Sequence, residues 1–256
     1  MKPVFVSKVS NVVSWLAAIE ALKSRGAAES CLMLVDGEPG LGKTRTAQWW
    51  GVQSGAIQVR AKQGWTHSWC LQDLYEATSG KPATTRSTSV LFRALCDALT
   101  ERQVQGARTG KTVVITIDEA DHAVAGGKDV VEAIRDITDT LEIPTILVGM
   151  DRVAKRLNRY PQVASRIPAP QRVQFRPLSQ ADVRAIITSA CEVEVKDDLI
   201  AFTHRACGGY TRELKEAIGA IERFGLRQSG AAVGVDTMRG QTLLHDRATG
   251  APIAVG

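Results

Sequence analysis

Val12, Val13, Leu16, Ile19 and Leu22 recur at helical spacing behind Ser10 and Asn11, two N-cap residue types, so a helix is expected over roughly residues 11 to 24. The run CLMLVDG is continuously apolar and ends in turn residues, the pattern of a strand buried on both faces. GKTRTAQWWGVQSG then reads as a helix closed by glycine. Further apolar runs stand at AIQVRA, TVVITIDEAD and IPTILVGM, separated by the helical patterns SVLFRALCDALTERQ and DVVEAIRDITDTLE. Strands alternating with helices predict an α/β fold, a parallel sheet flanked by helices. After residue 170 the strand signal fades, and SQADVRAIITSAC, DDLIAFTHRAC and TRELKEAIGAIERFGLRQ predict a small all-helical lid. From about Ser229 the chain is rich in Gly, Ala and Thr without a sustained period, which predicts a loosely held tail. The plan is an α/β domain over residues 1–172, a helical lid over 173–228 and a flexible tail over 229–256, with no internal repeat.

Composition adds bounds to this plan. The 256 residues are 44% hydrophobic, enough for a substantial core, and the formal net charge of +5 suits an acidic partner such as nucleic acid. Cys31, Cys70, Cys96, Cys191 and Cys207 are odd in number, scattered and never spaced C-x-x-C, which argues against a disulfide framework or a zinc knuckle and fits a reducing cytoplasm. His67, His122, His204 and His245 have no partner at metal-ligand spacing, so zinc is not expected. No stretch approaches the roughly 20 apolar residues of a spanning helix, and neither export nor membrane insertion is expected.

GEPGLGKT satisfies G-x-x-x-x-G-K-[ST] where a buried strand meets a helix. In that setting Gly37, Pro39, Gly40, Leu41, Gly42, Lys43, Thr44 and Arg45 are the candidate nucleotide-binding residues. Backbone N–H groups of Gly40, Leu41, Gly42 and Lys43 can converge on phosphate oxygens at a helix N-terminus, because glycine leaves room for that approach. Lys43 is expected to neutralise the β- and γ-phosphates, and the Thr44 hydroxyl to ligate Mg²⁺. TVVITIDEAD supplies the acidic partner. Asp118 is placed to hold the metal and Glu119 to orient or deprotonate the attacking water, and the pair resembles a Walker B motif. Trp49 and Trp50 are expected to wedge the loop's helix, one facing the sheet and the other a neighbouring helix or subunit.

Phosphate loop, acidic strand, the buried strand TILVGM, an arginine-bearing segment and a helical lid together resemble an AAA+ ATPase. The resemblance implies ATP hydrolysis with Mg²⁺ in an oligomer, where an adjacent subunit completes the site with an arginine. Arg156, Arg159 and Arg166 are candidates, and Arg166 in VASRIPAPQRVQF best matches the family's S-R segment. CGGYTRELKEAI resembles the family's second sensor and makes Arg212 the residue bridging lid and γ-phosphate. At the first sensor the chain departs from the pattern: the strand ends LVGMD, leaving Asp151 or a backbone group for that role.

FVSKVSNV leading into the first helix, ILVGM followed by RL and SRI, and GGYTREL in the lid look most like DNA-transposition ATPases of the Mu transposition protein B and TnsC type. That branch implies ATP-dependent polymerisation on duplex DNA without sequence specificity, target selection, and delivery to a transposase, with hydrolysis driving disassembly. A helicase-loader ATPase and a nucleotide-switch module acting through protein association are the alternatives. Lys62, Lys81, Arg86 and Arg93, with hydroxyls at Thr84, Thr85, Ser87 and Thr88, are the candidate DNA-backbone contacts, since cations and hydroxyls position phosphate without reading bases. VRAKQGWTHSW offers Arg60 beside Lys62, and its Trp65 offers base stacking, though a tryptophan beside helices more often serves a core or interface.

Overall fold

The computed structural model describes residues 1–24, 31–228 and 232–256; the tail boundary expected at Ser229 lies outside the described residues. In chain order the elements are α1 (Ser10–Lys23), β1 (Leu32–Asp36), α2 (Lys43–Ser54), β2 (Ile57–Arg60), α3 (His67–Ser79), α4 (Thr88–Thr109), β3 (Ile115–Asp118), α5 (Ala120–Ala125), α6 (Lys128–Leu141), β4 (Thr145–Val148), α7 (Arg152–Leu157), α8 (Pro161–Ala164), β5 (Arg172–Gln174), α9 (Gln180–Ala190), α10 (Asp197–Cys207), α11 (Thr211–Gly225), α12 (Val235–Met238), β6 (Thr242–His245) and β7 (Pro252–Ala254).

The first five strands form one parallel sheet in the order β2-β3-β4-β1-β5. Parallel pairing needs a crossover between strands, and the helices between them cover the sheet, which is why β1, β3 and β4 read as unbroken apolar runs. The chain divides into two compact units, one of residues 15–37 and 43–174, the other of residues 1–14, 38–42 and 175–256.

The sheet unit is built around Leu32, Leu34, Ile115, Ile117 and Leu147, with Leu71 and Leu74 of α3 and Ile134 and Ile137 of α6 in the same core. Leu91, Leu95 and Leu99 repeat every fourth residue along α4 and are fully buried. Each such leucine withdrawn from water contributes about 2 kcal/mol, which fixes the rotation of α4 about its axis. Trp65 is 1% exposed and donates its indole N–H to Asp73 at 2.8 Å, so it belongs to the core and not to a stacking platform. Trp50 is buried with its ring centroid 6.0 Å from Trp15 of α1 at an interplanar angle of 61°, an edge-on aromatic contact that wedges α2, while Trp49 is half-buried.

The second unit holds α9, α10 and α11, the expected helical lid. Ser179 caps α9 reciprocally with Asp182, and the Asp182 carboxylate also accepts from the backbone N–H and hydroxyl of Ser10, each at 2.8 Å. Three sequence expectations need correction. β5 exists despite the faded signal: it is three residues long with only Val173 buried, too short to show a pattern. α3 fills a stretch without a predicted element, started by the Thr66 hydroxyl accepting from Trp69 N–H and stopped by Gly80 in the left-handed region. The segment expected as a tail carries α12 and the antiparallel pair β6–β7, which packs on α11. Its Leu243, Leu244 and Val255 are each 1% exposed, an apolar set too short to show a sustained period.

Candidate functional site

In the sheet unit, β1 ends at Asp36, and β3 ends at Asp118. The Lys43 ammonium donates to the Gly37 carbonyl at 2.7 Å. Burial pushes the Lys43 ammonium below its usual range, against the pull of the carboxylates of Asp118, Asp121, Asp36 and Glu119. Burial likewise raises the Asp36 carboxyl, with Lys43 opposing. The Asp118 carboxyl is raised by burial against hydrogen bonds from the Glu119 backbone N–H and the Thr44 hydroxyl. A partly desolvated ammonium beside partly desolvated carboxylates is an arrangement prepared for an anion and a cation together.

The Thr44 hydroxyl lies 3.3 Å from Asp118 Oδ1. Adjacent ligands of an octahedral Mg²⁺ at 2.0–2.1 Å sit about 2.9 Å apart, so this oxygen pair fits two such positions after a small approach. Among the described residues no group of three or more His, Cys, Asp or Glu forms a protein cage. That donor set matches a cation that keeps waters and takes its other ligands from phosphate.

Glu119 adopts φ +54°, an uncommon conformation for a non-glycine residue, and its Oε1 accepts from Arg60 Nη2 at 3.1 Å. Asp121 is buried and accepts the Met150 backbone N–H at 2.6 Å, tying the segment after β3 to the end of β4. At the end of β4 the Met150 N–H is thus held by Asp121, while Asp151 is exposed at the start of α7.

The loop segment of residues 38–42 belongs to the second unit and is built with it. Gly40 and Gly42 take φ +89° and +93°, which side chains disfavour. The Gly40 carbonyl accepts from the Thr211 N–H at 2.9 Å, the Thr211 hydroxyl and the Arg212 N–H at 3.4 Å, all at the start of α11. The Pro39 carbonyl accepts from Arg247 Nη2 at 2.9 Å, and the Tyr210 hydroxyl bonds the Glu38 carboxylate. Thus the Arg212 backbone meets the loop while its side chain is exposed.

The remaining expected residues are dispersed. Arg166 is half-exposed and paired with Asp139 at 3.3 Å; Arg156 is half-buried, and Arg159 and Arg45 are exposed. Lys81 and Arg86 lie in the exposed connection between α3 and α4, and Arg93 is exposed on α4. Lys62 differs from that expectation of a DNA-facing cation: its ammonium bonds both oxygens of Asp73 at 2.9 Å and lies 5.0 Å from the Trp69 ring centroid. Sequence reasoning missed Asp36, Asp121 and Arg247, and offered Arg60 as a nucleic-acid contact where the structure pairs it with Glu119. Asp121 stood in the DEAD letters, but its role needs the neighbouring strand; Arg60 needs the β2–β3 register, and Arg247 the hairpin.

Residues 28–157 match the family model described as AAA domain. No curated protein sequence matches the chain. Among solved structures, the chain is similar to the Cdc6p protein of Pyrobaculum aerophilum, with 15% identity, a TM-score of 0.68, and coverage of 93% of this chain and 68% of that one. The ORC2 protein of Aeropyrum pernix in its ADP form gives 16% identity and a TM-score of 0.64 over 93% of this chain and 68% of that one. The Aeropyrum pernix ORC1 protein in complex with DNA gives 20% identity and a TM-score of 0.55 over 86% of this chain and 61% of that one, so the chain spans about three fifths of its length. With the family model covering half of its residues, and the parallel sheet, phosphate loop and acidic strand in place, the chain belongs to the AAA domain family of P-loop ATPases.

Proposed function

We propose that this chain is a Mg²⁺-dependent ATPase that works on duplex DNA as an oligomer. The observation carrying the hydrolytic reading is the approach of the Thr44 hydroxyl, in the first turn of α2 next to Lys43, to Asp118 at the end of β3. Lys43 exchanges its bond with the Gly37 carbonyl for phosphate oxygens of the substrate, and Thr44 and Asp118 hold the cation. A Mg²⁺ held there would neutralise negative charge on the substrate's phosphates. Glu119 accepts a proton from the attacking water, and its Oε1 bond to Arg60 lowers its readiness to do so. Arg212 contacts the γ-phosphate from the lid, and Arg166 of one copy exchanges Asp139 for the substrate of the next copy.

The exposed cations Lys81, Arg86 and Arg93, the net charge of +5 and the fold shared with a DNA-bound ORC1 support the DNA reading. Lys62 contributes through Trp69 and Asp73 in this reading and not as a free cation. Two readings of the task performed on DNA remain distinct. Service to a transposase as target selector is supported by the sequence resemblance of the FVSKVSNV, ILVGM and GGYTREL segments. A loader or initiator role is supported by the fold shared with Cdc6p and ORC2.

The test measures ATP turnover with and without duplex DNA, and electron microscopy of the Glu119→Gln variant with ATP and DNA. The expected result is DNA-stimulated turnover and an ATP-loaded oligomer retained on DNA by the variant. Turnover insensitive to DNA and to protein concentration overturns the DNA and oligomer reading. Absence of turnover overturns the hydrolytic one and leaves the nucleotide switch. Filaments that stimulate a transposase favour the first task, and capture of a hexameric helicase the second.

A further inference from the structure

Arg247, at the turn of the C-terminal hairpin, touches the phosphate loop. Its Nη2 donates to the Pro39 carbonyl at 2.9 Å, its guanidinium lies 4.1 Å from the Tyr210 ring centroid, and Nη1 lies 4.0 Å from Glu213. Nη1 would also stand 3.5 Å from a Cβ placed on Gly40. We infer that Arg247 is a positioning residue of the phosphate loop, fixing the peptide plane between Pro39 and Gly40 so that the Gly40 N–H faces the nucleotide. The inference rests on the proposed nucleotide site and deepens it.

Peptide planarity links the two groups of one peptide. In a trans peptide the C=O and the following N–H point in opposite directions, so a donor that holds one aims the other. Arg247 holds the Pro39 C=O and thereby aims the Gly40 N–H; Thr211 and Arg212 hold the Gly40 C=O and aim the Leu41 N–H. Phosphate cradles need such N–H groups pre-aimed, because turning them at the moment of binding costs affinity. Glycine at φ +89° is otherwise free to let that plane swing.

Arg247 is itself held in place. The preceding carboxylate, Asp246, accepts from the N–H of Ala248 at 3.0 Å, the N–H of Thr249 at 2.7 Å and the Thr249 hydroxyl at 2.8 Å, which closes the turn between β6 and β7. These bonds, led by the Thr249 backbone N–H, keep the Asp246 carboxyl below its usual range. Tyr210 stacks on the guanidinium face, and Glu213, 9% exposed with Oε2 lacking a hydrogen-bond partner, gives the cation a buried counter-charge.

Calorimetric titration with MgATP and MgADP, steady-state turnover, and thermal melting without nucleotide are measured on the unmodified chain, Arg247→Ala, Arg247→Lys and the control Arg239→Ala. Arg239 is a cation of the same unit whose partner is Asp236 at 2.9 Å. Arg247→Ala is expected to weaken both nucleotides roughly tenfold, the change produced by losing one charge-assisted hydrogen bond, with the loss falling on KM more than on kcat. Arg247→Lys, which still donates to the Pro39 carbonyl, recovers part of the affinity, and Arg239→Ala keeps it. Equal nucleotide affinity in Arg247→Ala overturns the inference. So does an affinity loss that merely tracks a lowered melting point and is not recovered by lysine. An unmodified chain that binds neither nucleotide overturns the underlying nucleotide reading and this inference with it.

Discussion

Arg60 donates from Nη2 to Oε1 of Glu119 at 3.1 Å, across the β2–β3 pair in which Arg60 is in register with Asp118. The arginine side chain is 71% exposed and the glutamate 27%, so the pair is open to water and to any polyanion that competes for the guanidinium. In the proposed reaction this contact holds, and partly neutralises, the carboxylate that takes a proton from water. Arg60→Ala is expected to raise turnover measured without DNA by roughly two- to fivefold, since exposed ion pairs are worth up to about 1 kcal/mol. Stimulation by DNA should shrink in the same variant. Unchanged or lower turnover without DNA means that Arg60 does not restrain Glu119.

Asp121 supports the same edge of the sheet from within the core. Its Oδ2 accepts the Met150 N–H at 2.6 Å and would stand 2.8 Å from a Cβ on Gly149. Asp121→Ala leaves the part-buried Met150 N–H without its acceptor and is expected to cost about 1 kcal/mol in urea unfolding. Gly149→Ala forces the new methyl against Asp121 and against Val153 Cγ2 at 3.0 Å, an overpacking worth about 1–3 kcal/mol. A stable Gly149→Ala protein would mean that the turn after β4 adjusts without disturbing Asp121.

Legibility followed the range of each signal along the chain. The strands β1, β3 and β4 announced themselves because burial on both faces makes every residue apolar, and the phosphate loop because its chemistry is local. β5 did not, since in Arg172–Gln174 a single valine faces inward and its pairing with β1 comes from 138 residues earlier in chain order, a relation outside any window. Arg60 looked like the end of a short alternating strand, and its meaning depends on register with Asp118. Lys62 looked like a free cation because Asp73 stands on the next helix, three turns of sequence away from suspicion. The hairpin was hidden by its brevity: β6 and β7 bury few residues, and the turn chemistry of Asp246 and Gly250 was outweighed by the surrounding Gly and Ala.

Asp182 makes the stability of the lid unit depend on pH. Burial opposes its charge, but hydrogen bonds from the backbone and hydroxyl of Ser10 and of Ser179 outweigh that and hold the carboxyl below its ordinary value of 3.8. A carboxyl lowered in the folded state stabilises fully above the unfolded value, and the contribution disappears as pH falls through the folded one. Between pH 6 and pH 3, taken as roughly the span of carboxylate titration, the unmodified chain should therefore lose more stability than Asp182→Asn, whose amide cannot titrate. At pH 7 the asparagine variant is expected to be less stable by about 1–2 kcal/mol, because its NH₂ meets donors where an oxygen accepted them. Parallel pH profiles for the two proteins would remove Asp182 from this role.

Lys43 gives the opposite pH dependence. Its ammonium opposes the rise of the Asp36 carboxyl, followed by the Arg172 guanidinium, and Asp118, Asp121 and Glu119 also act on Lys43. Lys43→Ala leaves the carboxylates of Asp36 and Asp118, both already raised by burial, with less compensation, so their proton affinity in the folded state rises further. A carboxyl raised in the folded state binds its proton before the unfolded chain does, and stability then increases as pH falls from neutrality towards the unfolded value of 3.8. The variant is expected to be about 1–2 kcal/mol less stable than the unmodified chain at pH 7 and to regain much of that difference near pH 5. Urea titrations at the two pH values measure it, and MgATP titration of the same variant should find binding lost. A deficit that stays constant with pH would place the stabilising effect of Lys43 in its bond to the Gly37 carbonyl, which does not titrate, and not in its charge among the carboxylates.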